Sequence, residues 1–117
     1  LYDVMQAVSC PVRTVCVGLA ASMAALLFVS GSRREMLPHS RLMIHDPLIL
    51  QTGGSALKLK AVSDDLMETR QIIAKVIADH SGKPMEEVLA KTATDSYFRA
   101  EEAVAFGLAD QIVTSLT

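Results

Sequence analysis

A chain of 117 residues, half of them hydrophobic and 21% charged, makes one domain with a core but little size to spare. Eleven basic and thirteen acidic side chains leave a net charge of -2, which gives no electrostatic footprint for nucleic acid or an acidic membrane surface. Cys10 and Cys16 read as small core residues in a reducing compartment, and without a Cys/His cluster at ligand spacing no metal is expected.

Leu1 to Ser9 reads as a helix with Leu1, Val4, Met5 and Val8 on one face, closed before Pro11. Nothing ahead of it caps a helix, so the chain is expected to start inside an element, N-terminally incomplete. Val12 to Val17, rich in β-branched residues between Pro11 and Gly18, reads as a short buried strand. Met23 to Phe28 are good helix formers ending near Gly31, which places Ser22 where a strand turns into a helix. The uncharged run Thr14 to Ser32 is long enough for a membrane span, but it changes period midway and carries Gly18 and Ser22 at its centre, against that reading.

Ser32 to Glu35 is expected as a polar turn and Met36 to Pro38 as a short extended piece. Arg41 to Ile44 is a second buried strand ending at His45-Asp46-Pro47. Strand, helix and strand in succession favour a parallel α/β arrangement, whose functional groups gather at the carboxyl ends of the strands, where Ser22 and His45 both fall.

Gln51 to Gly54 reads as a link, and Ser55 as the cap of a helix running to about His80, with Leu59, Val62, Leu66, Ile73 and Ile77 on one stripe. At 1.5 Å per residue such a helix is roughly 35 to 40 Å long, more than a domain of this size can cover. Part of its apolar face is therefore expected to meet another subunit. Gly82 ends that helix, and Pro84, Glu86 and Glu87 open another reaching about Lys91. A turn at Thr92 to Asp95, an extended piece at Ser96 to Phe98, a helix from Ala100 to Phe106 closed by Gly107 and a strand at Gln111 to Val113 complete the chain.

A serine hydroxyl is a weak nucleophile until a base takes its proton, and the base needs a third group to orient it. Of three histidines, His39 lies in an exposed turn and His80 ends the long helix, where the dipole favours an imidazolium. His45 shares the sheet edge of Ser22 and is the best base on placement. Asp46 is a poor orienting carboxylate, because neighbours on an extended chain point to opposite sides. Asp64 and Asp65 lie on the exposed helix face, and Asp110 reads as closing a turn. That leaves Ser22, His45 and Asp95.

GLAASMAA around Ser22, LPHSRLMIHDP around His45 and TDSYFRAEEAVAFGLAD around Asp95 resemble the proteolytic-subunit family of Clp protease over essentially the whole chain. The resemblance implies a crotonase-like α/β fold, ClpP-type, with parallel strands flanked by helices, as a single peptidase domain over 1–117 with residues 55–80 as a protruding handle helix. It implies a serine endopeptidase with Ser22 as nucleophile, His45 as general base, Asp95 completing the triad and the Met23 N–H in the oxyanion hole.

It further implies homo- or hetero-oligomeric heptameric rings stacked in pairs, with active sites facing an inner chamber. An AAA+ unfoldase such as ClpX, ClpA or ClpC would feed unfolded polypeptides in, so the subunit itself needs no cofactor and ATP is used by the partner. The place implied is the cytoplasm, or an organelle matrix or stroma.

The family's Gly-Gly turn, which supplies another oxyanion N–H, would precede Leu1. Losing one such donor costs about 10² to 10³ in rate, so a chain limited to these residues is expected to be nearly inactive. After His45 the family's Gln-Pro-Leu-Gly-Gly is Asp46-Pro47-Leu48-Ile49-Leu50, as in a divergent paralogue. An extended substrate is expected to pair along Leu48 to Thr52. Two rival readings are a non-catalytic ring subunit and a crotonase-type enzyme acting on acyl thioesters.

Overall fold

Charged residues complete one of the two small sheets around which the chain folds in a computed structural model, which describes residues 1–47 and 53–117. The elements run α1 (Tyr2–Ala7), β1 (Arg13–Cys16), β2 (Leu19–Ala21), α2 (Met23–Val29), β3 (Arg33–Met36) and β4 (Arg41–Ile44). They continue with α3 (Ala56–Ser81), α4 (Met85–Thr92), β5 (Ser96–Arg99), α5 (Ala100–Phe106) and β6 (Gln111–Ile112). The first sheet has the order β1-β3-β6 and is parallel throughout; the second has the order β2-β4-β5, with β2 parallel and β5 antiparallel to β4.

The two sheets share their strand sequence: β1 leads through Val17 and Gly18 into β2 as β3 leads through Leu37 to Ser40 into β4. Hydrogen bonds from Leu37 N to Cys16 O (3.1 Å) and from Arg41 N to Gly18 O (2.7 Å) hold the two crossings side by side. The parallel α/β expectation therefore holds for three of the four described pairings. The β4–β5 pair departs from it.

Three local expectations change. Ser32 to Glu35 is not a polar turn; Arg33–Met36 is strand, and both Arg34 and Glu35 are buried in it. The charges are tolerated because each is paired, Glu35 with Arg13, Arg33 and Gln111, and Arg34 with Asp110. Leu19–Ala21 adds a strand where only small residues before a helix were expected; alanine has low β propensity, and pairing with β4 overrides it. Cys10 is exposed rather than a core residue, while Cys16 is buried.

Met36, Leu42, Ile77, Leu108, Val29 and Val88 are the large apolar side chains sealed in the core. α3 enters that core only near its C-terminal end, through Ala74 and Ile77. Its cap is as expected: the Ser55 hydroxyl accepts from Lys58 N, and Gly82 ends the helix in the left-handed conformation at φ 76°. Leu57, Leu59, Met67 and Ile72 stay exposed, so the helix outruns its own domain, and the molecule measures 54 Å along its longest axis against 30 and 25 Å across. Among the described residues no helix is long and apolar enough to cross a membrane.

Candidate active site

Parallel pairing of β2 with β4 aligns Ala21 with Met43, so the residues just past these two strands emerge at one sheet edge. Ser22 leaves β2 there and is tied to β4 by its N–H, which donates to Met43 O at 3.0 Å. It adopts φ 57° and ψ -120°, the one non-glycine positive φ among the described residues. Such a conformation costs on the order of 1 to 3 kcal/mol and persists where surrounding structure enforces it. A sharp strand-to-helix turn of this kind pushes a serine hydroxyl clear of the backbone, as in nucleophile elbows. The Ser22 carbonyl accepts from Leu26 N (3.1 Å), so α2 begins immediately, and the Met23 N–H is one of the first-turn donors with no partner inside the helix.

His45 follows β4 at the same edge. Its Nε2 lies 2.5 Å from Ser22 Oγ, and its Nδ1 is hydrogen-bonded to the main-chain carbonyl of Asp46. A carbonyl can only accept, so Nδ1 carries the ring proton and Nε2 presents a lone pair to the serine hydroxyl. That is the tautomer a general base needs. Ser22 is exposed and His45 half-buried, and between them opens a cavity of about 280 Å³ with Met23, Leu26, Pro47, Thr69 and Ile73 in its wall.

The third candidate lies close in the ladder but is not joined to the other two. Ile44 pairs with Ser96, and Asp95 is the next residue out on β5, exposed to solvent. No hydrogen bond joins Asp95 to His45 among the described residues; Nδ1 is engaged by Asp46 instead. Residue 46 is itself held from two helices: its N–H donates to Thr92 O at 2.8 Å, and its carboxylate accepts from Arg70 Nε at 2.7 Å. The Asp46 side chain is no orienting carboxylate, as the sequence implies; the group that meets the imidazole belongs to the residue 46 backbone, which leaves no mark in a residue pattern.

The remaining histidines are elsewhere. His39 is exposed, as expected. His80 stands 3.1 Å from the Tyr2 hydroxyl, and burial, followed by the Arg34 charge, holds its pKa below the usual histidine value. The imidazolium expected at that helix end is thus disfavoured by burial and by the neighbouring Arg34 charge. Among the described residues no three His, Cys, Asp or Glu side chains gather as a metal site would need. The stretch expected to pair with an extended substrate, Leu48 to Thr52, lies outside the described residues.

Comparison with known proteins gives the family of the chain. The family model described as Clp protease matches residues 1–116. The ATP-dependent Clp protease proteolytic subunit of Porphyromonas gingivalis (strain ATCC BAA-308 / W83) is 40% identical over 115 residues, covering 97% of this chain and 51% of that protein. The chain thus spans about half the length of the curated relative it matches. With a match along nearly its whole length, the α/β chain with its long α3 has the ClpP-type fold and belongs to the Clp protease family.

Proposed function

We propose that the protein is the proteolytic subunit of an ATP-dependent Clp protease and hydrolyses peptide bonds through Ser22. The observation that carries this reading is the 2.5 Å approach of His45 Nε2 to Ser22 Oγ, with Nδ1–H engaged on the far side of the ring. Ser22 Oγ attacks the substrate carbonyl as Nε2 takes its proton, and the oxyanion forms beside the Met23 N–H. The intermediate collapses with release of the amine, which takes the proton from His45. Water then repeats the sequence on the acyl-enzyme and frees the acid.

Asp95, one step beyond the Ile44–Ser96 pair, is the carboxylate proposed to steady the imidazolium. The apolar wall of Met23, Leu26, Pro47 and Ile73 suits an apolar substrate side chain beside the scissile bond.

The exposed Leu57, Leu59, Met67 and Ile72 on α3, with Val17, Leu19 and Tyr97, support further copies of the subunit as partners, assembled in stacked rings. An AAA+ unfoldase would deliver unfolded chains, and the free cysteines fit the reducing cytoplasm. The test is hydrolysis of an unstructured peptide by the intact protein. Wild type is expected to turn it over and Ser22→Ala to stop; equal turnover by both would overturn the reading.

A further inference from the structure

We infer that the Asp46–Arg70 ion pair is a positioning device for the base, holding the carbonyl that fixes the His45 ring. The inference rests on the reading of Ser22 and His45 as nucleophile and base. It adds two residues outside the Ser-His-Asp set, one of them on a different helix.

The imidazole has one engaged nitrogen on each side: Nε2 faces Ser22 Oγ, and Nδ1–H donates to Asp46 O. Where the ring points therefore depends on where the peptide group of residue 46 sits. Two contacts hold that residue, and a third holds its ion-pair partner. Its N–H reaches Thr92 O at the end of α4 (2.8 Å), its carboxylate meets Arg70 Nε on α3 (2.7 Å), and Arg70 Nη2 in turn reaches Leu89 O on α4 (3.3 Å).

One arginine thus ties the segment after His45 to both helices. The pair is only 21% and 25% exposed, drier than the 70% and 64% of Lys60 and Asp64 farther out on α3, so screening weakens it less. Arg70 also follows Thr69 and precedes Ile73, two residues of the cavity wall, so the same helical turn that shapes the pocket holds the base. The planar guanidinium can serve Asp46 and Leu89 at once; a lysine ammonium can keep the charge but not both directions.

The consequence is kinetic. Releasing residue 46 lets its carbonyl drift from Nδ1, and misplacement by about 1 Å costs on the order of 10²-fold in rate while leaving the pocket able to bind. The test is modification of the intact protein by a fluorophosphonate, in which Ser22 Oγ bonds to phosphorus, fluoride leaves and the hydroxyl proton passes to His45. The maximal rate and the half-saturating concentration are measured separately for wild type, Asp46→Asn, Arg70→Met and Arg70→Lys, with Tm and native mass for each.

The expected result is a maximal rate lowered about 10- to 100-fold in Asp46→Asn and Arg70→Met, with half-saturation unchanged and partial recovery in Arg70→Lys. The double variant Asp46→Asn/Arg70→Met is expected to be no slower than the worse single one, since the two act as a unit. Wild-type rates in the single variants, or losses that follow Tm and native mass alone, overturn the inference. His45→Ala separates the two levels: if it stops labelling while the Asp46 and Arg70 variants label normally, only the positioning role falls. If His45→Ala labels at the wild-type rate, both readings fall.

Discussion

His45 and Asp95 stand at the same end of one antiparallel strand pair, each one residue beyond Ile44 and Ser96, yet the imidazole gives its Nδ1 proton to Asp46 O. The ladder brings the carboxylate to the right end of the pair without closing the contact. Asp95 is exposed, so its replacement disturbs little packing. Asp95→Asn is expected to lower kcat on peptide substrates by about 10² to 10⁴ while stability stays within about 0.5 kcal/mol. Peptidase kinetics beside thermal melting check this; unchanged kcat would leave Asp46 O as the sole orienting group.

Among the described residues Arg34 is the most heavily engaged charge. Its guanidinium, 10% exposed, donates to both Asp110 oxygens and to the carbonyls of Val29, His80 and Gly107, joining α2, α3 and α5 to β3. Arg34→Met would leave those carbonyls unpaired and is expected to cost about 3 kcal/mol in chemical denaturation. Lys60→Ala, which breaks an exposed pair with Asp64 on α3, is expected to change stability by no more than about 0.5 kcal/mol.

The same network sets an acid response. Hydrogen bonding from Arg34 holds the Asp110 carboxyl below its ordinary 3.8, and burial holds His80 below its ordinary 6.5. Both folded values are depressed, so in each case the unfolded chain binds more protons and stability rises with pH. The His80 contribution is complete above 6.5 and is lost as pH falls below that; the Asp110 contribution is complete above 3.8 and is lost in stronger acid. Tm followed from pH 8 downward should fall in two stages, and His80→Gln should remove the first. A wild-type first stage in that variant would contradict the assignment.

Gly107 closes α5 at φ 90°, and a Cβ built there would stand 2.2 Å from Ser81 O. Both the conformation and the contact exclude a side chain. Gly107→Ala is expected to destabilise by more than about 1 kcal/mol in a denaturant titration, whereas Gly18→Ala, with open space around it, is not.

How far the sequence could be read follows from which interactions are local. The α3 and α5 boundaries were legible because Ser55, Gly82 and Gly107 act within a turn of themselves. Ser22 and His45 were legible because each follows a short apolar strand, and parallel pairing brings those ends together. β3 was not, since Arg34 and Glu35 look solvent-exposed until Asp110, Arg13 and Gln111 arrive from elsewhere in the chain. Nor was the Asp46–Arg70 pair, whose members lie 24 residues apart and whose effect passes through a carbonyl.

Ser22 can act as a nucleophile only if His45 takes its hydroxyl proton. Fluorophosphonate labelling of the intact protein, read by mass spectrometry at Ser22, tests it most directly. Wild type is expected to label at Ser22 and His45→Ala to label at least about 10³-fold more slowly, with its native mass unchanged. Equal rates in the two proteins, or labelling that falls on another residue, would contradict the account.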